Sequence, residues 1–255
     1  VSLVPKLPQS VPVPEELAFV VPVAVSAADA ERTAREAILG SVLRPADIRA
    51  AVIEPMVLVH LPFWRVEVAA DGFHLGIAFL QGGRRGSMPL PIPTGGARHR
   101  DGVMLVVART LFPYEPSMLA ASSGWVGTQF EGAMGAFQIR LEEMVPRAKY
   151  VITEGEIIDA DIDRARAERE AKDRILRAVR PHSAVFESYE PKVKSVAFCH
   201  VPLYVMPYHY DGVAKRRPGE EYYVTVSGRS GKIVGARHPS AVKATFAKLR
   251  KLITP

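Results

Sequence analysis

Two imidazoles open the two most similar phrases of this chain. His60-Leu61-Pro62-Phe63-Trp64 is followed by Asp71-Gly72, and His200-Val201-Pro202-Leu203-Tyr204 by Asp211-Gly212, every matched position lying 140 residues apart. Cys199-His200 together with His209 would supply the thiolate and imidazole donors of a soft metal ion. Strand parity argues against that site. Neighbouring residues on a strand point to opposite faces, so Cys199 and His200 part company, and His209 is an odd number of residues from His200. Cys199 is the only cysteine, which excludes internal disulfides and cysteine-rich zinc sites. Neither H-E-x-x-H nor C-x-x-C spacing occurs. The expectation is no metal and no cofactor, with His60 and His200 packed or hydrogen-bonded on strands.

Other chemical templates fit no better. Gly228-Arg229-Ser230-Gly231 reads as a hairpin turn and lacks the strand-to-helix context of a nucleophile elbow. Gly82-Gly83-Arg84-Arg85-Gly86 precedes no helix, so it is neither a P-loop nor a dinucleotide fingerprint; a basic hairpin loop is the favoured reading over a phosphate clasp of backbone donors and arginines. Glu154, Glu156, Asp159 and Asp161 place negative charge ahead of a helix N-terminus, a simpler account than metal coordination. Tyr208, Tyr210, Tyr222 and Tyr223 near Lys215, Arg216 and Arg217 suggest base stacking beside phosphate contacts. Tyrosines alternating on strands are also what a half-buried sheet needs, and core tyrosines are the favoured reading. No catalytic residue is assigned, and the chain reads as a non-enzyme.

The elements that would carry these residues follow from periodicity. Ser26-Ala27-Ala28-Asp29 has capping-box spacing, and Ala30, Ala34 and Ile38 form an apolar stripe on a helix ended by Gly40. Phe19 to Val25 reads as a strand before it. Val21–Leu39 aligns with Ile158–Leu176 at an offset of 137 residues, matching Val25-Ser26 with Ile162-Asp163 and Ala34 with Ala171. The step from 137 to 140 needs only a three-residue insertion between helix and strand, and helix and phrase together point to duplication. After each phrase the pattern turns to strand: Asp71-Gly72 signals a hairpin turn with Phe73 to Phe79 returning. In the second copy Tyr204, Met206, Tyr208 and Tyr210 share a face, Tyr222 to Val226 returns, and Lys232 to Ala236 follows a turn at Ser227–Gly231.

The expected fold class is therefore α+β, as two related helix-plus-antiparallel-sheet units from an internal duplication. A helix packed on one face of such a sheet buries the apolar sides of both. The division is a Pro-rich N-terminal arm at 1–18, a first repeat with an inserted segment at 19–150, a second repeat at 151–240 and a basic C-terminal helix at 241–255. Within the insertion Met104 to Arg109 reads as a strand and Ala136 to Met144 as a helix.

Bulk composition fits a folded cytoplasmic protein. The 255 residues are 48% hydrophobic and 24% charged, with a net charge of +6. No stretch approaches the roughly 18 consecutive apolar residues of a membrane span. Val1 to Pro14 lacks the features of a signal peptide, and Val1 in place of Met points to a trimmed or partial chain. Positive charge gathers at Arg84-Arg85, Arg98-His99-Arg100, Lys215-Arg216-Arg217 and Lys248 to Lys251. Such patches suit solubility first, and attract anionic lipid, nucleic acid or an acidic partner.

Pro202-Leu203-Tyr204, Tyr208-His209-Tyr210-Asp211-Gly212, Tyr222-Tyr223-Val224 and Ser227-Gly228-Arg229-Ser230-Gly231-Lys232-Ile233-Val234-Gly235 form an ordered series. It resembles the C-terminal, non-ribbon portion of bacterial TFIIB-type zinc-ribbon-containing proteins. Val21-Pro22-Val23, Ser26 to Leu39 and Leu61-Pro62-Phe63-Trp64 resemble the N-terminal half of the same proteins, so the similarity spans residues 19 to 240. The ribbon's cysteines are missing, and Ser227 and Ser230 stand where that family has Asn and Thr. The resemblance implies a non-enzymatic adaptor working near SPFH-type membrane scaffold proteins, with no catalytic residue to transfer.

The resulting expectation is a cytoplasmic, membrane-associated binding or assembly module with a protein partner. Contacts are expected on an exposed sheet surface or on Arg84, Arg85, Lys215, Arg216 and Arg217. One alternative is direct binding of nucleic acid or anionic membrane. Another is a small-ligand or enzyme site between the repeats, lined by His60, Trp64, His200 and Tyr204.

Overall fold

The computed structural model describes residues 10–40, 48–80, 90–110, 112–114, 139, 141–180, 184–210 and 222–239. They form an α+β fold in which two helices lie against one mixed sheet. Helix α1 (Ala27–Leu39) starts as its capping-box spacing requires. The Ser26 hydroxyl accepts from the Asp29 N–H at 3.2 Å and donates to the Asp29 carboxylate at 2.7 Å. Ala30, Ala34 and Ile38 form its fully buried stripe. Helix α2 (Arg164–Val179) starts at Asp163, whose carboxylate accepts from the Arg166 N–H at 2.7 Å, and buries Ala167, Ala171, Ile175 and Val179. Its outer face carries i,i+4 pairs such as Arg164 with Glu168.

The sheet is built on two long antiparallel strands, β3 (Val57–Leu80) and β7 (Ala184–His209). Beside them lie β1 (Ala18–Val20), β2 (Val52–Ile53), β4 (Leu90–Val107), β5 (Val145–Pro146), β6 (Glu156–Ile157), β8 (Tyr222–Ser227) and β9 (Ile233–Arg237). The order through the centre is β4-β3-β7-β1-β5, so both halves of the chain share one sheet. Leu61 faces Val201, and on either side His60 faces Pro202 and Pro62 faces His200. The two similar phrases are thus each other's partners. The short parallel strands follow suit: Val20 of β1 lies beside His200, and Ile157 of β6 beside His60.

Neither helix rests only on the strands that follow it in sequence. Helix α1 contacts β8 and β7, whereas α2 contacts β3, β4 and β7. Each half's helix therefore lies on strands of the other. Trp64, Val66, Val68 and Ala70 pack under α2, and Tyr204, Met206, Tyr208 and Tyr210 under α1. Val59, Leu61, Phe63, Cys199, Val201, Leu203 and Val205 form a core with Tyr114, Met144 and Ile158 on the opposite face. Alternation along β3 and β7 is what gives the sheet two apolar faces.

Three expectations need correction. Asp71-Gly72 makes no turn: Asp71 sits between His99 and Glu190, Gly72 between Arg98 and Tyr189, and Phe73 to Phe79 continues β3 without returning. A Cβ at Gly72 would collide with Ser188 O and stand 2.7 Å from Tyr189 Cα, so glycine serves close strand approach here. The strand foreseen over Phe19 to Val25 ends at Val20. Pro22 has no donor, and the Val21, Ala24 and Val25 N–H groups go to His200 O and Gly228 O instead. Of the helix foreseen over Ala136 to Met144, the described part is one tight turn at Leu141–Glu143. The turn at Ser227–Gly231 forms as read, with Ser227 N–H on Lys232 O and Gly231 N–H on Ser227 O. Arg84, Arg85, Asp211-Gly212, Lys215 to Arg217 and the segment 241–255 lie outside the described residues.

Beyond the helices β3, β4 and β7 run on as a three-stranded prong. β7 drops out where Ala184 meets Gly76, and β3 and β4 continue as a two-stranded ribbon to the Leu80–Leu90 pair.

Candidate functional site

The centre of the sheet holds the four residues singled out as a pocket between the halves. Leu58 faces Tyr204, His60 faces Pro202, Pro62 faces His200 and Trp64 faces Phe198, all on the helix side. Each proline marks a change of strand partner. β6 leaves β3 at His60 and β4 joins at Phe63, while β1 leaves β7 at His200 and β8 joins at Leu203. Pro62 O accepts from Ala108 N–H and Pro202 O from Gly228 N–H, both at 2.8 Å. A residue's N and O point the same way along a strand, so the missing donor falls in the gap between partners and no ladder bond is lost.

The aromatic that ends each phrase ties down a helix. Trp64 Nε1–H donates to Ile162 O at 2.8 Å, and Tyr204 Oη–H to Val25 O at 2.9 Å. Ile162 and Val25 immediately precede the capping residues of α2 and α1. The bonds are reciprocal, each joining one half's strand to the other half's helix. Phe198 stands edge-on to both Trp64 (5.0 Å) and His200 (5.2 Å). Trp64 thereby belongs to the α2 cluster and Tyr204 to the α1 cluster. The four residues share a face but are divided between two cores, with the histidines in the middle.

His60 is 1% exposed, and its Nε2–H donates to Glu154 O at 3.0 Å. Gly155 makes that approach feasible: its φ of +88° is left-handed, and a Cβ there would stand 2.8 Å from Leu58 Cγ and 3.2 Å from His60 Cδ2. Among the described residues His60 Nδ1 has no hydrogen-bond partner. Burial holds the His60 pKa below the usual histidine range, and the Arg147 charge adds to this against the Glu154 bond. His200 is pushed down to about 4 by burial, then by His60 and Arg147. Both shifts favour the neutral ring at pH 7.

The thiol sits on the other face. Cys199 is buried, and burial pushes its pKa up to about 12 against the opposing pull of Arg65. His200 and Cys199 are separated as strand parity predicts. His209, on the Cys199 side, pairs with Glu54. Among the described residues no group of three His, Cys, Asp or Glu side chains stands close enough to hold a metal ion. Tyr208, Tyr210, Tyr222 and Tyr223 are all buried, so these four present no stacking face to a nucleic acid. A shallow hollow on the outer side of α1, lined by Glu31, Arg35, Glu36 and Leu39, lies away from the histidines.

No family model, curated protein or solved structure matches the chain. Two features escaped the sequence reading. Arg65, which alternates with Trp64 and Val66 along β3, is 8% exposed, with Nε and Nη1 unpartnered among the described residues. Its neighbour Glu67 accepts from the Ser195 hydroxyl at 3.0 Å. The second is an uncovered apolar face on the prong: Phe73 (44% exposed), Leu75 (55%), Ile77 (45%) and Phe186 (55%). Phe73 and Phe186 rings lie 5.8 Å apart across the strands. The signal was present in the alternation Phe73-x-Leu75-x-Ile77, but the expected turn at Asp71 hid its register.

Proposed function

We propose that the chain is a non-enzymatic binding and assembly module, an adaptor built from two copies of one helix-plus-strand unit whose sheets have merged. The prong carries this reading. Contiguous exposed apolar side chains on an otherwise closed body mark an interaction site, and Phe73, Leu75, Ile77 and Phe186 form such a set. The central residues add weight by what they are spent on. Trp64 and Tyr204 hold helix ends, His60 is buried, His200 is partly buried, and both imidazoles are shifted toward the neutral form.

Matched registers support the duplication: Val20 and Ile157, Val21 and Ile158, and Val25 and Ile162 occupy like places at the 137-residue offset. The resemblance to the non-ribbon portion of TFIIB-type zinc-ribbon-containing proteins is part of the same proposal, as is a cytoplasmic setting beside a membrane scaffold. No described helix is long and apolar enough to cross a membrane. Partners are to be recovered from native extract with wild type, a Leu75→Asn/Phe186→Ser variant and a Lys215→Ala/Arg216→Ala/Arg217→Ala variant. At least one partner is expected to be lost from one variant. Equal recovery by all three overturns the docking-surface reading.

A further inference from the structure

We propose that the strap formed by residues 145–157 is an acid-released latch on the sheet, and that the His60 imidazole is its catch. The latch lies on the body, apart from the prong, and works whatever docks there.

The two ends of the strap set its path. β5 pairs with β1 on one side of β7, and β6 pairs with β3 on the other. The chain between them, with one tight turn at Arg147–Lys149, crosses the sheet. Glu154 and Gly155 lie on the histidine face: Glu154 O accepts from His60 Nε2–H, and Gly155 fits against Leu58 and His60. Little else holds the crossing. No residue from 145 to 157 is buried, and Val151 is 79% exposed. Each end is a ladder of two residue pairs. A segment held by a few polar bonds, without a buried apolar anchor, opens more readily than the fold around it. Beyond the strap Ile158, Ala160 and Ile162 are buried, so the opening stops where the core begins.

His60 makes that opening answer to acid. In the neutral ring Nε2–H is spent on Glu154 O, and Nδ1 is a buried lone pair without a partner among the described residues. A second proton turns Nδ1 into a charged donor that has no acceptor, in a residue 1% exposed. The neighbouring charges oppose the proton as well. Arg147 on the strap bears on both imidazoles, and His60 bears on His200, so the charges that meet at the catch in acid are all positive. The Glu154 carboxylate bears on Tyr204 instead. Lys149 and Glu156 are the strap's other charged residues, and the stretch from Ala18 to Val25 has none. Lifting the strap parts Arg147 from the rings and lets water reach Nδ1. Burial first, and Arg147 against the opposing Glu154 bond, keep the closed ring's pKa below its ordinary 6.5. The open state therefore binds more protons: closure is complete above about pH 6.5 and is lost as pH falls through the lower, closed-state value.

Native-state hydrogen exchange of the full chain, expressed as protection factors and repeated in low urea, tests the latch. Amides of the strap and of Ile158 are expected to lose protection roughly tenfold from pH 7 to pH 5. At pH 5 they should be less protected than those of α1 and insensitive to urea, because a local opening exposes little surface. His60→Gln still offers a donor to Glu154 O but does not titrate, so the fall should shrink. Arg147→Gln should shrink it too, while Arg147→Lys keeps it. Strap protection that is level from pH 7 to pH 5 overturns the latch. So does a strap that matches α1 in protection and urea dependence at pH 5, since acid then merely unfolds the whole chain. A fall as large in His60→Gln as in wild type also overturns it. If His60→Gln is already unfolded at pH 7, Arg147→Gln decides: a smaller fall supports the latch, and an unchanged one overturns it.

Discussion

At one end of the β3–β7 pair, Val52 and Ile53 close against His209 and Tyr208; at the other, Lys192 and Val193 face Ala69 and Val68. These are matching positions at the 140-residue offset. The first end stops there with a two-residue strand, while the second runs on to Leu80 and Ala184. The hairpins that flank the pair differ in the same sense. The second half needs the chain from Leu203 to Ser227 to come back on itself, and the first needs the longer run from Phe63 to Val107. The prong is what the longer hairpin adds. The body is thus made by positions that match at the 140-residue offset, and the uncovered apolar surface by the extensions of β3 and β7 beyond them. Scaffold and docking surface are separable in sequence.

That comparison can be broken at its anchors. Trp64→Ala removes a buried aromatic and the bond to Ile162 O at the prong end, and is expected to cost about 4 kcal/mol in chemical denaturation. A cost under about 1 kcal/mol would mean that α2 is held by its alanine stripe alone. The centre should respond to acid. The folded pKa of His200, about 4, lies below its ordinary 6.5, so the folded state binds fewer protons than the unfolded chain. Its contribution is whole above about pH 6.5 and is lost as pH falls toward 4, reaching about 3 kcal/mol at the low end. His60 shifts in the same direction. Denaturation midpoints measured across that range should fall in wild type and flatten in a His200→Gln variant; parallel slopes would refute the assignment. Tyr204→Phe keeps the ring and removes only the bond to Val25 O, for about 1 kcal/mol at the short end. If it destabilises as much as Trp64→Ala, the two ends are not anchored as described.

The helices were legible because their signals are local. A capping serine or aspartate and an alanine stripe at four-residue spacing need no knowledge of the rest of the chain. The tyrosine face of β7 and the Ser227–Gly231 turn were legible for the same reason. What packs on what was not. A repeat offset gives the order of elements and is silent on whether a helix covers its own strands or its counterpart's, since Ala30, Ala34 and Ile38 would bury equally well on either. Asp71-Gly72 misled because the turn signal is local, whereas the strand is decided by Tyr189 and His99 far along the chain. Of the pocket residues, the shared face was foreseen through the phrase, but not the reciprocal bonds that divide them. Arg65 was unreadable because alternation assigns a side to a residue without saying whether that side meets water.

The exchange of helices between the halves also sets a timetable. α2 emerges after both of the strands of the first half that it covers, β3 and β4, so most of its seat is already synthesised and only β7 is still to come. α1 is made early and must wait for Tyr204 and the strands around it. At about 5–20 residues per second of synthesis the interval is roughly 10–30 s. During that time the Ala30–Ala34–Ile38 stripe has no sheet to lie on, and a nascent chain stalled before Tyr204 would present it to chaperones.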